Sequence, residues 1–406
     1  MLIDSTHLNG SETSADRFDP RRFTDEAGAI LTTLLQGEGY ADLKMVPLPG
    51  DRKPAASKAS PLQAALEILI LLRFVGGQTN SFNESMAERL YGRLTEWRKG
   101  PSPVVLHDLF WAGRVVLEKA ISALLTPAEL QTLEESSLLV RSDGSVRATA
   151  RCFDLFDRRL LSDFDSSRKD YVYFGPDSIW LAEIVREFCG DRRFERTLDL
   201  CTGSGVQGLS IARQSDEVLC VDVNDRALGF VAANAQLNAA NNVRAIRSNM
   251  FAEIEGRFDC IIANTPYVPM PYNPNVSDLP LRGGDLGIEF MLALLDELPD
   301  RLNEDGIAFF YTVDPIGPDG RHLLTHVAKR LKKTPMHVSQ LLLSRTHPRT
   351  PDRQRHFERV GITSYEDCVL ILRRSDRAEV QRGIWHPHYY WGTRIKTFLS
   401  AKLQRK

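Results

Sequence analysis

Two hydrophobic textures divide the chain. In the first third, apolar residues recur every three to four positions. DEAGAILTTLLQ, from Asp25, puts its leucines and isoleucine on one face and predicts a helix. Residues 47–61 hold four prolines and read as a linker. Ser60-Pro61 then opens an apolar helix over 62–75, with Ser as N-cap and Pro in the first turn. Helical patterns follow at 83–98 and 103–125. Thr126-Pro-Ala-Glu129 has the spacing of a capping box. Leu138 to Val140 and Val146 to Ala148 flank Ser-Asp-Gly-Ser, which predicts a hairpin. Helices followed by a small hairpin suit a winged-helix-like module.

From about residue 175 short apolar runs alternate with amphipathic stretches. Helices are predicted at 177–189, 205–213, 225–240, 285–301 and 319–333. Strands are predicted at 196–200, 217–222, 258–263, 306–312, 337–343 and 367–373. Strands alternating with helices mean an α/β fold with a doubly wound, mostly parallel sheet. The last two strands, with no strong helix between them, read as an antiparallel edge hairpin. The expected organisation is a flexible tail over 1–20, a mainly helical domain over 21–150, the α/β domain over 151–375 and a docking tail over 376–406. The aromatic stretch Ile384-Trp-His-Pro-His-Tyr-Tyr-Trp391 lies in that tail.

Composition narrows the class. The 406 residues are 43% hydrophobic and 26% charged, which rules out global disorder. Lys plus Arg is 51 against 53 for Asp plus Glu, so a nucleic acid held by a large basic excess is not expected as a partner. The six cysteines lie far apart with no C-x-x-C pair, which argues against a disulfide scaffold or zinc ribbon. His386 and His388 lack a third ligand, and no metal is expected. The polar N-terminus does not look like a secretion signal. The longest apolar run, 64–75, is interrupted by Glu67 and Arg73 and is too short for a bilayer. A cytoplasmic protein with no membrane partner is expected, with a homodimer as one arrangement.

The chemistry concentrates at three strand ends. Gly203, Gly205 and Gly208 form G-x-G-x-x-G between a strand and a helix, a turn that lets a nucleotide approach the backbone. Asp222 ends the next strand, placed for ribose hydroxyls. These features fit NAD as well as S-adenosylmethionine. Asp199 tips the balance, because a buried parallel strand is normally apolar on both faces. A carboxylate there suits the ammonium of S-adenosylmethionine. The third strand ends in Asn264-Thr265-Pro266-Tyr267. The Asn264 side-chain carbonyl and the Thr265 backbone carbonyl are two acceptors for one planar amino group. Tyr267 is placed to stack on it. Methyl transfer needs mainly alignment of this kind.

These residues resemble the class I S-adenosylmethionine-dependent amino-methyltransferases with an Asn-Pro-Pro-Tyr signature, above all the release-factor glutamine methyltransferase family and its relatives. The resemblance covers roughly 150–375 and implies a Rossmann-like, seven-stranded sheet. It implies cofactor contacts at Phe174 in the Tyr173–Ser178 loop, and at Asp199, Cys201, Thr202, Gly203 and Gly205. Asp222, Val223, Asn249 and Met250 would complete them. Asn249 stands where the family has an acid, and Thr265 where it has the first proline.

The acceptor is expected to be a small molecule. Asp278, Asp285 and Glu289 form an acidic rim behind a prolyl lid, which suits the nitrogen of a small metabolite or free amino acid, a guanidinium such as that of arginine included. Asp285 is also the expected N-cap of the helix it begins. A second reading keeps the fold and modifies a protein glutamine or an RNA base. A third makes S-adenosylmethionine itself the cyclised substrate. A fourth is a binding module that has lost catalysis, against which Asn264 and Tyr267 argue. The basic cluster Arg345 to His356 reads as a solvated loop.

Overall fold

The computed structural model describes residues 17–37, 105–164, 170–271, 282–331, 336–348, 350–375 and 379–384. The expected helices at 62–75 and 83–98, the proline-rich linker, Asp278 and the aromatic residues after Ile384 lie outside them. Contacts divide the chain into two compact units at Phe164 and Asp165.

The first unit holds α1 (Asp25–Gly37), β1 (Val116–Leu117), α2 (Glu118–Ile121) and α3 (Pro127–Glu135). Two hairpins follow, β2 (Leu139–Ser142) with β3 (Ser145–Ala148), and β4 (Arg151–Leu155) with β5 (Arg158–Ser162). The capping box forms: Thr126 accepts from the Glu129 amide, and Glu129 accepts from the Thr126 amide at 2.8 Å. Asp143 and Gly144 turn the first hairpin, both with positive φ. The helix expected over 103–125 does not run through. His107–Trp111 form one π-turn, and Gly113 leaves helical space at φ +66°. A side chain at 113 would lie 2.9 Å from the Phe164 ring. Val116 and Leu117 then pair with β3. The β4–β5 hairpin belongs to this unit, where Phe153 packs on Trp111.

The second unit begins with α4 (Pro176–Cys189), β6 (Phe194–Leu200), α5 (Val206–Ile211), β7 (Ser215–Asp222), α6 (Asp225–Leu237) and β8 (Val243–Arg247). It continues with β9 (Phe258–Asn264), α7 (Glu289–Arg301), β10 (Leu302–Gly317), β11 (Gly320–Arg321), α8 (Leu323–Arg330), β12 (Met336–Thr346), α9 (Pro351–Val360), β13 (Ser364–Arg374) and β14 (Glu379–Ile384). The strand order is β14-β12-β13-β10-β9-β6-β7-β8, with β11 hanging from β10. Strands β8, β7, β6, β9 and β10 are parallel, and β13 runs antiparallel to β10 and β12. The seven strands expected are extended to nine by β11 and by β14, which lies parallel to β12.

Alternation along the strands builds a core on each face. Ile261, Ala263, Ala308 and Phe310 meet α7 residues Met291, Leu294 and Leu298. Cys260, Ile262, Phe309 and Tyr311 meet α4 residues Leu181, Ile184 and Val185 on the other face. Burial on both faces explains why these strands read as unbroken apolar runs. From β6 the chain winds outward through β7 to β8, then returns to β9 on the opposite side of β6. That reversal opens a crevice at the carboxyl ends of β6 and β9.

Two expectations are corrected. The basic cluster is not a loop: Pro351–Val360 is helical, begun by Thr350, whose hydroxyl accepts from the Arg353 amide, and ended by Gly361 at φ +76°. A helix therefore joins the last two strands of the expected hairpin. No helix among the described residues is long and apolar enough to cross a membrane.

Candidate active site

The loop after β6 is held by its own polar groups. Cys201, Gly203 and Gly205 all have positive φ. The Thr202 amide donates to the Val221 carbonyl at 3.0 Å, and the Gly205 amide to the Thr202 carbonyl at 2.9 Å. Asp199 is fully buried. Its Oδ2 accepts from the Thr202 hydroxyl at 2.5 Å and from the Gly208 amide at 2.8 Å. Its Oδ1 is buried with no partner. Burial raises its pKa to about 7, against the pull of those two bonds. Gly208 sits where a Cβ would come within 2.6 Å of the Cys220 sulfur, so only glycine lets α5 lie this close to β7.

Asp222 draws three segments together. Its carboxylate accepts from the Gly203 amide and the Asn224 amide, each at 3.0 Å. Its backbone carbonyl accepts from the Ser248 amide at 3.2 Å, which brings Asn249 and Met250 alongside. Val223, next to it, is exposed. Burial also raises the Asp222 pKa.

The loop after β9 has a different logic. The Asn264 Nδ2 donates to Asp177 Oδ2 at 2.9 Å, whereas its Oδ1 is buried without a partner. Asp177, in the first turn of α4, also accepts from the Tyr173 hydroxyl at 3.0 Å. Burial, the largest effect on Asp177, raises its pKa despite both bonds. Thr265 is buried, and its hydroxyl leans 3.4 Å from the Tyr311 carbonyl. That contact ties the residue to β10 without the fixed φ of the proline it replaces. The Tyr267 ring lies 4.9 Å from that of Tyr311 at a tilt of 52°. Gly283 and Gly287 allow the chain to close over this loop. A Cβ at 283 would meet the Tyr267 Cα at 2.6 Å, and one at 287 the Tyr267 carbonyl at 2.2 Å.

Asp367, on β13, joins the same cluster from the sheet. It accepts from the Ser344 hydroxyl at 2.7 Å. Burial raises its pKa to about 7. Asp177, Tyr311 and Asp367 were not singled out from the sequence. Each is polar inside an otherwise apolar pattern, and that was the available signal.

The acidic rim is used differently from expectation. Glu289 accepts from the Leu286 and Ile288 amides at 3.0 and 2.9 Å and shapes its own loop. Asp285 accepts from Arg359 at 2.8 Å, and its carbonyl meets His356. It is not an N-cap, since α7 starts at Glu289 with Ile288 as its cap.

Residues 181–271 match the family model described as the methyltransferase small domain. They contain the glycine loop, Asp222 and the Asn264 loop. This segment is an S-adenosylmethionine-dependent methyltransferase domain. The residues present fit S-adenosylmethionine. A bare, buried Asp199 oxygen beside a loop of positive-φ glycines is what a cationic nucleoside requires. In a comparison of sequences, the methyltransferase is 34% identical to a ribosomal protein uL3 glutamine methyltransferase of Xanthomonas campestris. The match covers 40% of this chain and 54% of that protein. It is 26% identical to a release factor glutamine methyltransferase of Clostridium botulinum over 55% of this chain and 90% of that one. The chain spans about half the length of several curated relatives it matches. Among solved structures, a ribosomal protein L11 methylase of Lactobacillus delbrueckii aligns with 55% of this chain and 98% of its own, at 18% identity and a TM-score of 0.36.

These relatives overturn one expectation. They carry the names of protein glutamine methyltransferases, so a small metabolite or free amino acid is not the indicated acceptor. The acidic rim that suggested it is engaged with Arg359 and with backbone amides.

Proposed function

We propose that this methyltransferase transfers a methyl group to the side-chain carboxamide nitrogen of a glutamine in a protein of the translation machinery. The observation that carries the reading is the Asn264 amide, whose Nδ2 is anchored on Asp177 while its Oδ1 is bare. A carboxamide nitrogen offers two N–H donors in one plane. The Asn264 Oδ1 would accept one and the Thr265 backbone carbonyl the other. Orienting both bonds faces the nitrogen lone pair toward the methyl donor. S-adenosylmethionine, when bound, supplies an electrophilic methyl group on a cationic sulfur. Asp199 would hold its ammonium and Asp222 its ribose. Tyr267, braced by Tyr311, would cover the carboxamide and keep water out. A substrate in the translation machinery goes with a cytoplasmic location.

The test uses methyl-labelled S-adenosylmethionine and an extract lacking this enzyme. Label that stays with macromolecules, resists ribonuclease and is released by protease is the expected result. Label in RNA or in the small-molecule filtrate overturns the reading.

A further inference from the structure

Asn264 can do the work assigned to it in only one orientation. A side-chain amide carries an acceptor and a donor at nearly equal distance from its Cβ. Rotated by half a turn, Asn264 would offer an N–H to an acceptor group that itself has only N–H to give. Something must select the orientation, and one carboxylate is in place to do so. Asp177 Oδ2 lies 2.9 Å from the Asn264 Nδ2, and a carboxylate accepts but does not donate.

The carboxylate is itself fixed. Its other oxygen accepts from the Tyr173 hydroxyl at 3.0 Å. The tyrosine reaches it only because residue 175 is glycine: a Cβ there would lie 1.9 Å from the Tyr173 hydroxyl oxygen. Gly175 is extended, at φ −151°, a conformation open to any residue, so space and not backbone freedom accounts for the glycine. The Tyr173 carbonyl is also the nearest atom to the open side of Gly203, at 3.7 Å from where its Cβ would sit. Tyr173 thus stands between the cofactor loop and Asp177.

We infer that Asp177 is a positioning residue: held by Tyr173, it locks the Asn264 amide with its carbonyl oxygen toward the acceptor nitrogen. This deepens the proposed function and rests on its assignment of Asn264. Asp177 touches neither cofactor nor substrate in this account and acts through Asn264 alone.

The test is a set of variants of the full chain, assayed on the protein substrate and titrated with S-adenosylmethionine by calorimetry. Asp177→Ala is expected to lower kcat about 30-fold or more, with cofactor affinity changed less than about threefold, the scale of losing one aligned polar group. Asp177→Asn restores most of the rate, because its amide oxygen can still accept from Asn264. Tyr173→Phe and Gly175→Ala give smaller losses of the same kind, and they keep the test alive if Asp177→Ala fails to fold. Combining Asp177→Ala with Asn264→Ala costs no more than Asn264→Ala alone, whereas a merely structural role would make the losses add. A folded Asp177→Ala enzyme with normal kcat, or additive losses in the double variant, overturns the inference while leaving the proposed function standing. Normal turnover in Asn264→Ala removes both.

Discussion

The Asn264 side chain makes one bond and leaves one atom bare, and the reading of the site depends on that atom. Asn264→Ala should lower kcat by about 100-fold or more, the scale for losing one preorganised polar group in an active site. Calorimetry should show the cofactor bound with nearly unchanged affinity. Asp199 gives a second expectation. Its pKa of about 7 means that the carboxylate is partly protonated near neutrality. A cationic ligand favours the ionised form, so binding expels a proton and affinity rises as pH increases through about 7. Titrations at pH 6 and 8 check this, and Asp199→Asn should remove most of the difference. At this scale the sequence is legible where residue type and spacing repeat a known chemical need, as at Gly203, Asp222 and Asn264. Asp177 was hidden because it meets Asn264 across 87 positions, and no local spacing marks such a pair.

Among the elements, those with both a periodic pattern and an end signal could be read closely. The capped helix α3 and the Asp-Gly hairpin β2–β3 are examples. Helix α9 was missed although Thr350-Pro351 begins it and Gly361 ends it. Of its residues only His356 and Phe357 are buried, and its charged face masks the period. The edge strand β8 was missed for the opposite reason: it is short and only partly buried. The stretch over 103–125 had apolar spacing, but Gly113 and the pairing of Val116 with β3 outweighed it. Glycines also fix how the segment before α7 closes over Tyr267. Gly287→Ala meets a positive φ of 78° and a backbone oxygen 2.2 Å away. It should destabilise the protein by about 2–4 kcal/mol, given strain and overpacking together. A lower urea midpoint would register it.

For the molecule as a whole, the buried carboxylates give stability an unusual dependence on pH. Burial pushes the Asp367 carboxyl up to about 7 in the fold, against 3.8 for a free aspartate side chain. Between those values the folded chain binds the extra proton. Its contribution is therefore greatest below about pH 4 and is lost as pH rises toward 7. Asp259 and Glu366, whose pKa values are lowered, push the other way. The comparison with Asp367→Asn isolates the effect: the variant should lose less stability than the parent between pH 4 and 7 in urea titrations. The two-texture pattern made the α/β sheet legible, since alternating helices and buried strands allow few other folds. The acceptor was not legible. Acidic residues near a loop look alike whether they face a ligand or, as Asp285 and Glu289 do, an arginine and backbone amides.

The central claim is that a carboxamide nitrogen of a protein receives the methyl group. The most direct measurement is a tandem mass spectrum of the labelled substrate after digestion. The account predicts one methyl group on a glutamine side chain, absent when Asn264→Ala replaces the parent enzyme. A methyl group on a lysine, an arginine or a chain terminus would contradict it.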